Sequence, residues 1–145
     1  MSKRGNIFTS KESLKTIDTL RVSYLIVAIL FFLITEAGRK IYRPYIYSND
    51  IDDFGLADSI GNLGGIIVQI FFGLAILNPQ NHKVLNLIAF FVGGYILYEI
   101  LQPVLPRGVF DWNDVYGTFA GGIISLFIYF LLKKLINRKL IYKFN

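Results

Sequence analysis

A glutamate, an arginine and an aspartate recur in the same order in both halves of this chain: Glu36, Arg43 and Asp58, then Glu99, Arg107 and Asp114. An arginine fork pairs bidentately with carboxylate or phosphate, so each trio has the parts of an anion-binding or ion-paired site. Positioned carboxylates also take and give protons. That makes Glu99 the candidate general acid or base, and Asp114 the second candidate catalytic carboxylate, set to orient Arg107 or a substrate hydroxyl. The same groups bind a ligand equally well without turning it over.

Further polar residues stand close in sequence to these trios. Glu36, Arg39, Arg43, Asp58, Asn62, Gln102, Arg107, Asp111 and Thr118 form the candidate ligand-binding set, expected to converge with Glu99 and Asp114 on one concavity. Tyr42, Tyr45, Phe110, Trp112 and Tyr116 are its expected walls, since tyrosine and tryptophan favour the headgroup level of a bilayer. A plainer reading has Asp58 and Asp114 capping the helices they open, where a carboxylate meets the positive end of the dipole. Oxygen clusters such as Asp50, Asp52 and Asp53 suit hard cations, but their spacing fits no calcium loop, and no metal or cofactor is expected. Without cysteine there is no thiolate nucleophile or zinc-thiolate site. The lone His82, in the turn Asn78 to Lys83, reads as solvated, which excludes a Ser-His-Asp triad outside the membrane.

Asp58-Ser-Ile-Gly61-Asn62-Leu-Gly64-Gly65 reappears 56 positions later as Asp114-Val-Tyr-Gly117-Thr118-Phe-Ala120-Gly121, and each copy opens a long apolar run. On a helix, Asp58, Gly61, Asn62 and Gly65 share one stripe, and Asp114, Gly117, Thr118 and Gly121 form its counterpart. Gly61 with Gly65, and Gly117 with Gly121, are small-xxx-small pairs that let backbones approach where lipid supplies no hydrophobic drive. They are the expected helix-packing positions.

These residues hang on four runs free of Asp, Glu, Lys and Arg: Val22 to Thr35, Ser59 to Leu77, Val84 to Tyr98 and Val115 to Leu132. The chain is 54% hydrophobic and 17% charged, with the charges clustered between the runs. At 1.5 Å per residue, about 20 helical residues cross a bilayer core. The expected fold is therefore all-α: an integral membrane bundle of four transmembrane helices, built as two tandem hairpins with a parallel internal repeat. The helices are expected at about 21–40, 57–77, 84–104 and 114–137, within a single domain spanning 1–145, and Glu36 and Glu99 fall at the edge of the hydrocarbon. An ionised group there costs on the order of 2–3 kcal/mol unless it faces a polar interior.

Eleven of the fifteen Lys and Arg lie in the amino-terminal segment 1–20 or just beyond it at Arg21, in the middle turn at Lys83, or in the tail that ends at 145. The positive-inside rule sends those parts to the cytoplasm and the two acidic loops outside. An inner, multi-pass bacterial membrane location with both termini cytoplasmic follows as the expectation. The formal charge of +5 then matches an anionic leaflet, and no nucleic-acid partner is expected. Expected partners are membrane lipids, a lipid-linked glycan headgroup, and other membrane proteins. The amino terminus lacks a small-residue cleavage site and is expected to be retained, with Thr9 and Glu12 forming a capping box for a helix that continues into the membrane.

Glu99-Ile-Leu-Gln102, Pro106-Arg107, Phe110-Asp111, Asp114, Thr118 and Gly121 together resemble the signature of the VanZ-like membrane family, best over residues 95–132. The family takes its name from a protein linked to low-level teicoplanin resistance, a glycopeptide antibiotic phenotype. The resemblance implies a small multi-helix protein that binds or modifies a lipid or lipid-linked glycan headgroup at the outer face of the membrane. The chain departs from the family at Asp58-Ser59-Ile60-Gly61-Asn62, where Asp-Lys-x-x-His is common, and at Thr118, where Asn is usual. That departure motivates a second reading, a non-catalytic subunit of a membrane complex. Four helices, an intramembrane glutamate and an internal repeat motivate a third, a small proton-coupled transporter.

Overall fold

The computed structural model describes the backbone of residues 5–106 and 108–141 and the side chains of residues 19–106 and 108–136. Arg107 lies outside the described residues. The elements are α1 (Gly5–Ala37), a π-helical turn (Gly38–Tyr42), α2 (Arg43–Ser48), α3 (Leu56–Leu77), α4 (Val84–Leu101) and α5 (Trp112–Ile141), with short 3-10 turns at Asn81–Lys83 and Gln102–Val104. There is no strand among the described residues. Four helical stretches are long and apolar enough to cross a membrane: Thr19–Ser48, Leu56–Leu77, Asn81–Val104 and Trp112–Ile136.

The chain differs from its sequence expectation at the first helix. No glycine or proline interrupts residues 7–37, so α1 is one helix of 33 residues that already includes Thr9. Thr9 therefore lies inside the helix, and the side chains of Thr9 and Glu12, expected to form the capping box, lie outside the described residues. At the other end the helix runs on past the expected boundary near residue 40. Pro44 lacks the N–H for an α-helical bond and its ring would crowd the carbonyl four residues back. The chain answers with the wider π turn, in which the Arg43 N–H bonds to the Gly38 carbonyl, and then resumes as α2.

Helix α3 is the axis of the bundle. It packs along α5 on one side and α1 on another, while α4 leans on α5 and more lightly on α3. Among the described residues, no Cα of α1 comes within 8 Å of one in α4. The two hairpins, α1 with α3 and α4 with α5, thus join through their second members.

Glycines set the closest approaches, though not all of the expected ones. A side chain at Gly117 would meet the Ser59 carbonyl oxygen at 2.7 Å, and one at Gly121 the Leu63 carbonyl oxygen at 2.5 Å, so both seat α5 on the α3 backbone. Gly61, by contrast, faces open space, and Gly65 meets only the Tyr95 hydroxyl, at 3.2 Å. Of the pair expected to pack α3, Gly61 packs nothing and Gly65 meets α4 only through Tyr95. Gly64 takes that role instead, against Thr35 of α1, and Gly38 does so against Ile60. The reason is rotational: the neighbours of α3 lie on its Gly64 and Leu63 faces, which leaves the Gly61 face without a helix.

The apolar core fills only one end of the bundle. Ile66, Ile67, Ile70, Phe71 and Leu74 of α3 are wholly buried among Tyr24 and Ala28 of α1, Ile88 of α4 and Tyr129 of α5. Tyr24 contacts the Phe71 and Tyr129 rings at centroid distances of 5.9 and 6.4 Å. Arg21 ties α1 to the carboxyl end of α3 by donating from Nε to the Ala75 carbonyl at 2.9 Å, where a cation also suits the helix dipole. The opposite end is hollow.

Candidate functional site

The helix starts at the hollow end are held by aspartates other than those expected. Asp53 accepts from the backbone N–H groups of Gly55 at 3.1 Å and Ala57 at 2.7 Å, and from the Tyr42 hydroxyl at 3.1 Å. Asp111 accepts from the Asn113 N–H at 2.8 Å. These side chains satisfy amides that a helix terminus otherwise leaves orphaned. Gly55 has φ +78° and lies against Asn113, which brings the two helix starts together. Asp58 and Asp114, one turn further in, accept no backbone N–H among the described residues and are free to face inward.

They face a cavity of about 500 Å³ between α1, α3 and α4, with Asp111 and Asp114 at the start of α5 in its lining. Its lining includes Glu36, Arg39, Arg43, Asp58, Asn62, Asp111 and Asp114, seven of the eleven expected catalytic and ligand-binding residues. Phe32, Thr35, Gly61, Gly65, Val68, Gln69 and Tyr95 complete it. The expected aromatic walls are elsewhere. Tyr42 and Tyr45 line a separate apolar hollow, and the Trp112 ring stacks on Tyr116 at 6.0 Å and meets Phe110 edge-on at 5.1 Å, outside the lining.

Ion pairing inside the cavity departs from the simple trios. Glu36 pairs with Arg39 at 3.5 Å and Lys40 at 3.2 Å, its neighbours one turn on, and not with Arg43. Arg43 reaches across to α3 instead: Nη2 stands 3.4 Å from Asp58 Oδ1, and Nε donates to the Tyr47 hydroxyl at 3.0 Å. Tyr47 in turn donates to Asp58. The Asp114 carboxylate has no hydrogen-bond or ion-pair partner among the described residues, although the charges of Glu99, Asp111, Arg43 and Asp58 all reach it. The lining thus holds two arginines and, in Asp114, a carboxylate without a side-chain partner among the described residues, groups that can grip a phosphate at one point and a hydroxyl or amine at another.

Three expected site residues lie off the cavity. Glu99 is 1% exposed, and its two oxygens accept from the side-chain amides of Asn62 at 2.9 Å and Gln102 at 2.6 Å. Thr118 is wholly buried and donates back to the Asp114 carbonyl at 2.9 Å, a bond within its own helix. Glu99 and Gln102 therefore hold Asn62 from behind, and Thr118 presents no group to a ligand. The second-half trio cannot be traced, because Arg107 falls outside the described residues. No group of three or more metal-ligating side chains occurs among the described residues.

Among the lining residues not expected from the sequence, Gln69 is the side-chain amide. It is an uncharged amide inside an apolar run, yet it continues the Asp58, Asn62 stripe at helical spacing. Extending that stripe by two turns would have found it. Asp53 carried the commoner signal of a capping aspartate shortly before an apolar run. No family model matches the chain, nor does any curated protein or solved structure match it.

Proposed function

We propose that this chain is a VanZ-like, multi-pass protein of a bacterial inner membrane that binds the headgroup of a lipid or lipid-linked glycan at the outer face. The observation that carries this reading is the polar cavity, set at one end of four membrane-length helices and lined by Arg39, Arg43, Asp58 and Asp114. Charge at membrane depth is costly unless a polar interior receives it, and a headgroup provides such an interior. The basic termini and Lys83 favour the cytoplasm for the core end, which turns the cavity outward. Arginine forks suit a headgroup phosphate, and the Asp114 carboxylate suits a sugar hydroxyl or an amine.

Binding is favoured over turnover because Glu99, the strongest candidate acid, is enclosed by two amides and lines no part of the cavity. The test is the lipid recovered with the protein purified in mild detergent. Wild-type protein is expected to carry a phosphorylated lipid enriched over its membrane abundance, and Arg43→Gln to lose that enrichment. Identical lipid profiles for the two proteins would overturn the reading.

A further inference from the structure

We infer that the cavity is a slot open sideways to the bilayer between α1 and α4, and that one acyl chain of a bound phospholipid lies in it against Phe32, Val68, Gln69 and Tyr95. The inference rests on the headgroup reading and extends it to the hydrophobic part of the ligand. The lining follows α3 from Asp58 to Gln69, eleven residues, or about 16 Å along the axis, roughly half the hydrocarbon thickness. A headgroup alone fills only the top of so deep a space. Below Asn62 the lining turns apolar at Phe32 and Val68, so the slot is amphipathic from end to end, as a phospholipid is.

No Cα of α1 comes within 8 Å of one in α4 among the described residues, and the α3 face between them bears glycine at positions 61 and 65. With no side chain there, the floor of the slot is backbone, and a Cβ at Gly61 would meet no atom within 4 Å. Gln69 is exposed at this depth, where an amide in hydrocarbon is unfavourable unless another polar group or trapped water meets it. A water drawn in beside the chain supplies that group.

The experiment exploits a chain without cysteine. Gln69→Cys and, on the exposed face of α4, Phe90→Cys are labelled with bimane in mild detergent and titrated with phosphatidylglycerol brominated on its acyl chains. The expected result is saturable quenching at position 69 but not at 90, reversed by soluble glycerophosphoglycerol and lost when Gly61→Leu is added. A second arm follows maleimide labelling of Gly61→Cys. If glycerophosphoglycerol protects that cysteine while the label at 69 stays unquenched, the headgroup site stands and the slot is refuted. If neither responds, both fail. Equal quenching at 69 and 90 means contact with bulk lipid only and also refutes the slot.

Discussion

The Asn62 side-chain amide stands 2.9 Å from Glu99 Oε1, a bond that joins α3 to α4 directly behind the cavity. Gln102 takes the other oxygen at 2.6 Å, so the buried carboxyl has both acceptors occupied by amide donors. Glu99→Gln would turn one of those acceptors into a donor facing a donor. A buried polar group left unsatisfied costs about 1–3 kcal/mol, so Glu99→Gln and Asn62→Leu should each lower thermal stability in detergent. The double variant should lose less than the sum of the two, since residues in one network couple by about 0.5–3 kcal/mol. Strict additivity would show that the two side chains do not meet.

The four repeated glycines should separate into two classes. Gly117→Ala and Gly121→Ala push a methyl against α3 backbone oxygens, and overpacking of that kind costs about 1–3 kcal/mol. Gly61→Ala points into empty space and should leave the melting temperature unchanged or raise it, because glycine inside a helix costs about 0.5–1 kcal/mol relative to alanine. Melting curves of the three proteins decide it, and equal losses would contradict the assigned helix rotation.

Asp53 and Asp58 should likewise divide stability from binding. Removing a capping carboxylate costs about 1 kcal/mol, so Asp53→Ala should destabilise the protein with little effect on ligand affinity. Asp58→Asn keeps the shape of the cavity wall but weakens the hold on Arg43, and should change affinity more than stability. Paired melting and lipid-binding measurements check the split.

Arg43 is fixed by Asp58 and the Tyr47 hydroxyl, and its guanidinium also lies 5.3 Å from the Tyr47 ring centre. Tyr47→Phe removes the hydroxyl and keeps the ring, so it should weaken binding less than Arg43→Gln. Loss of one charge-assisted hydrogen bond to a ligand phosphate corresponds to about 1.5–3 kcal/mol, or at least about a tenfold fall in affinity for Arg43→Gln. Affinity unchanged in Arg43→Gln would remove the arginine from the site.

The sequence was most informative where periodicity and length govern. Four charge-free runs translate into four bilayer-length helices because a helix is the only single-segment way to satisfy backbone groups in lipid. The convergence of Glu36, Arg39, Arg43, Asp58, Asn62, Asp111 and Asp114 was likewise legible, since polar groups at membrane depth seek one another. The repeat misled in detail. An ungapped offset equates Gly61 with Gly117 and Asn62 with Thr118, but the rotation of each helix depends on where its neighbours sit. α5 turns its stripe onto α3, while α3 turns its own onto the cavity. Thr118 is consequently buried and Asn62 lines the cavity. The π turn before Pro44 and the shift of capping from Asp58 to Asp53 are local rearrangements that run-length reasoning does not resolve.

The most direct measurement is the affinity of purified wild type and Gly61→Leu for phosphatidylglycerol, read by native mass spectrometry alongside the melting temperature. Because a Cβ at position 61 meets no atom within 4 Å and Gly61 lines the cavity, the variant should fold and melt like the wild type while losing saturable binding of a single lipid. Undiminished binding by a correctly folded Gly61→Leu would contradict the claim that the space between α1, α3 and α4 is where the ligand sits.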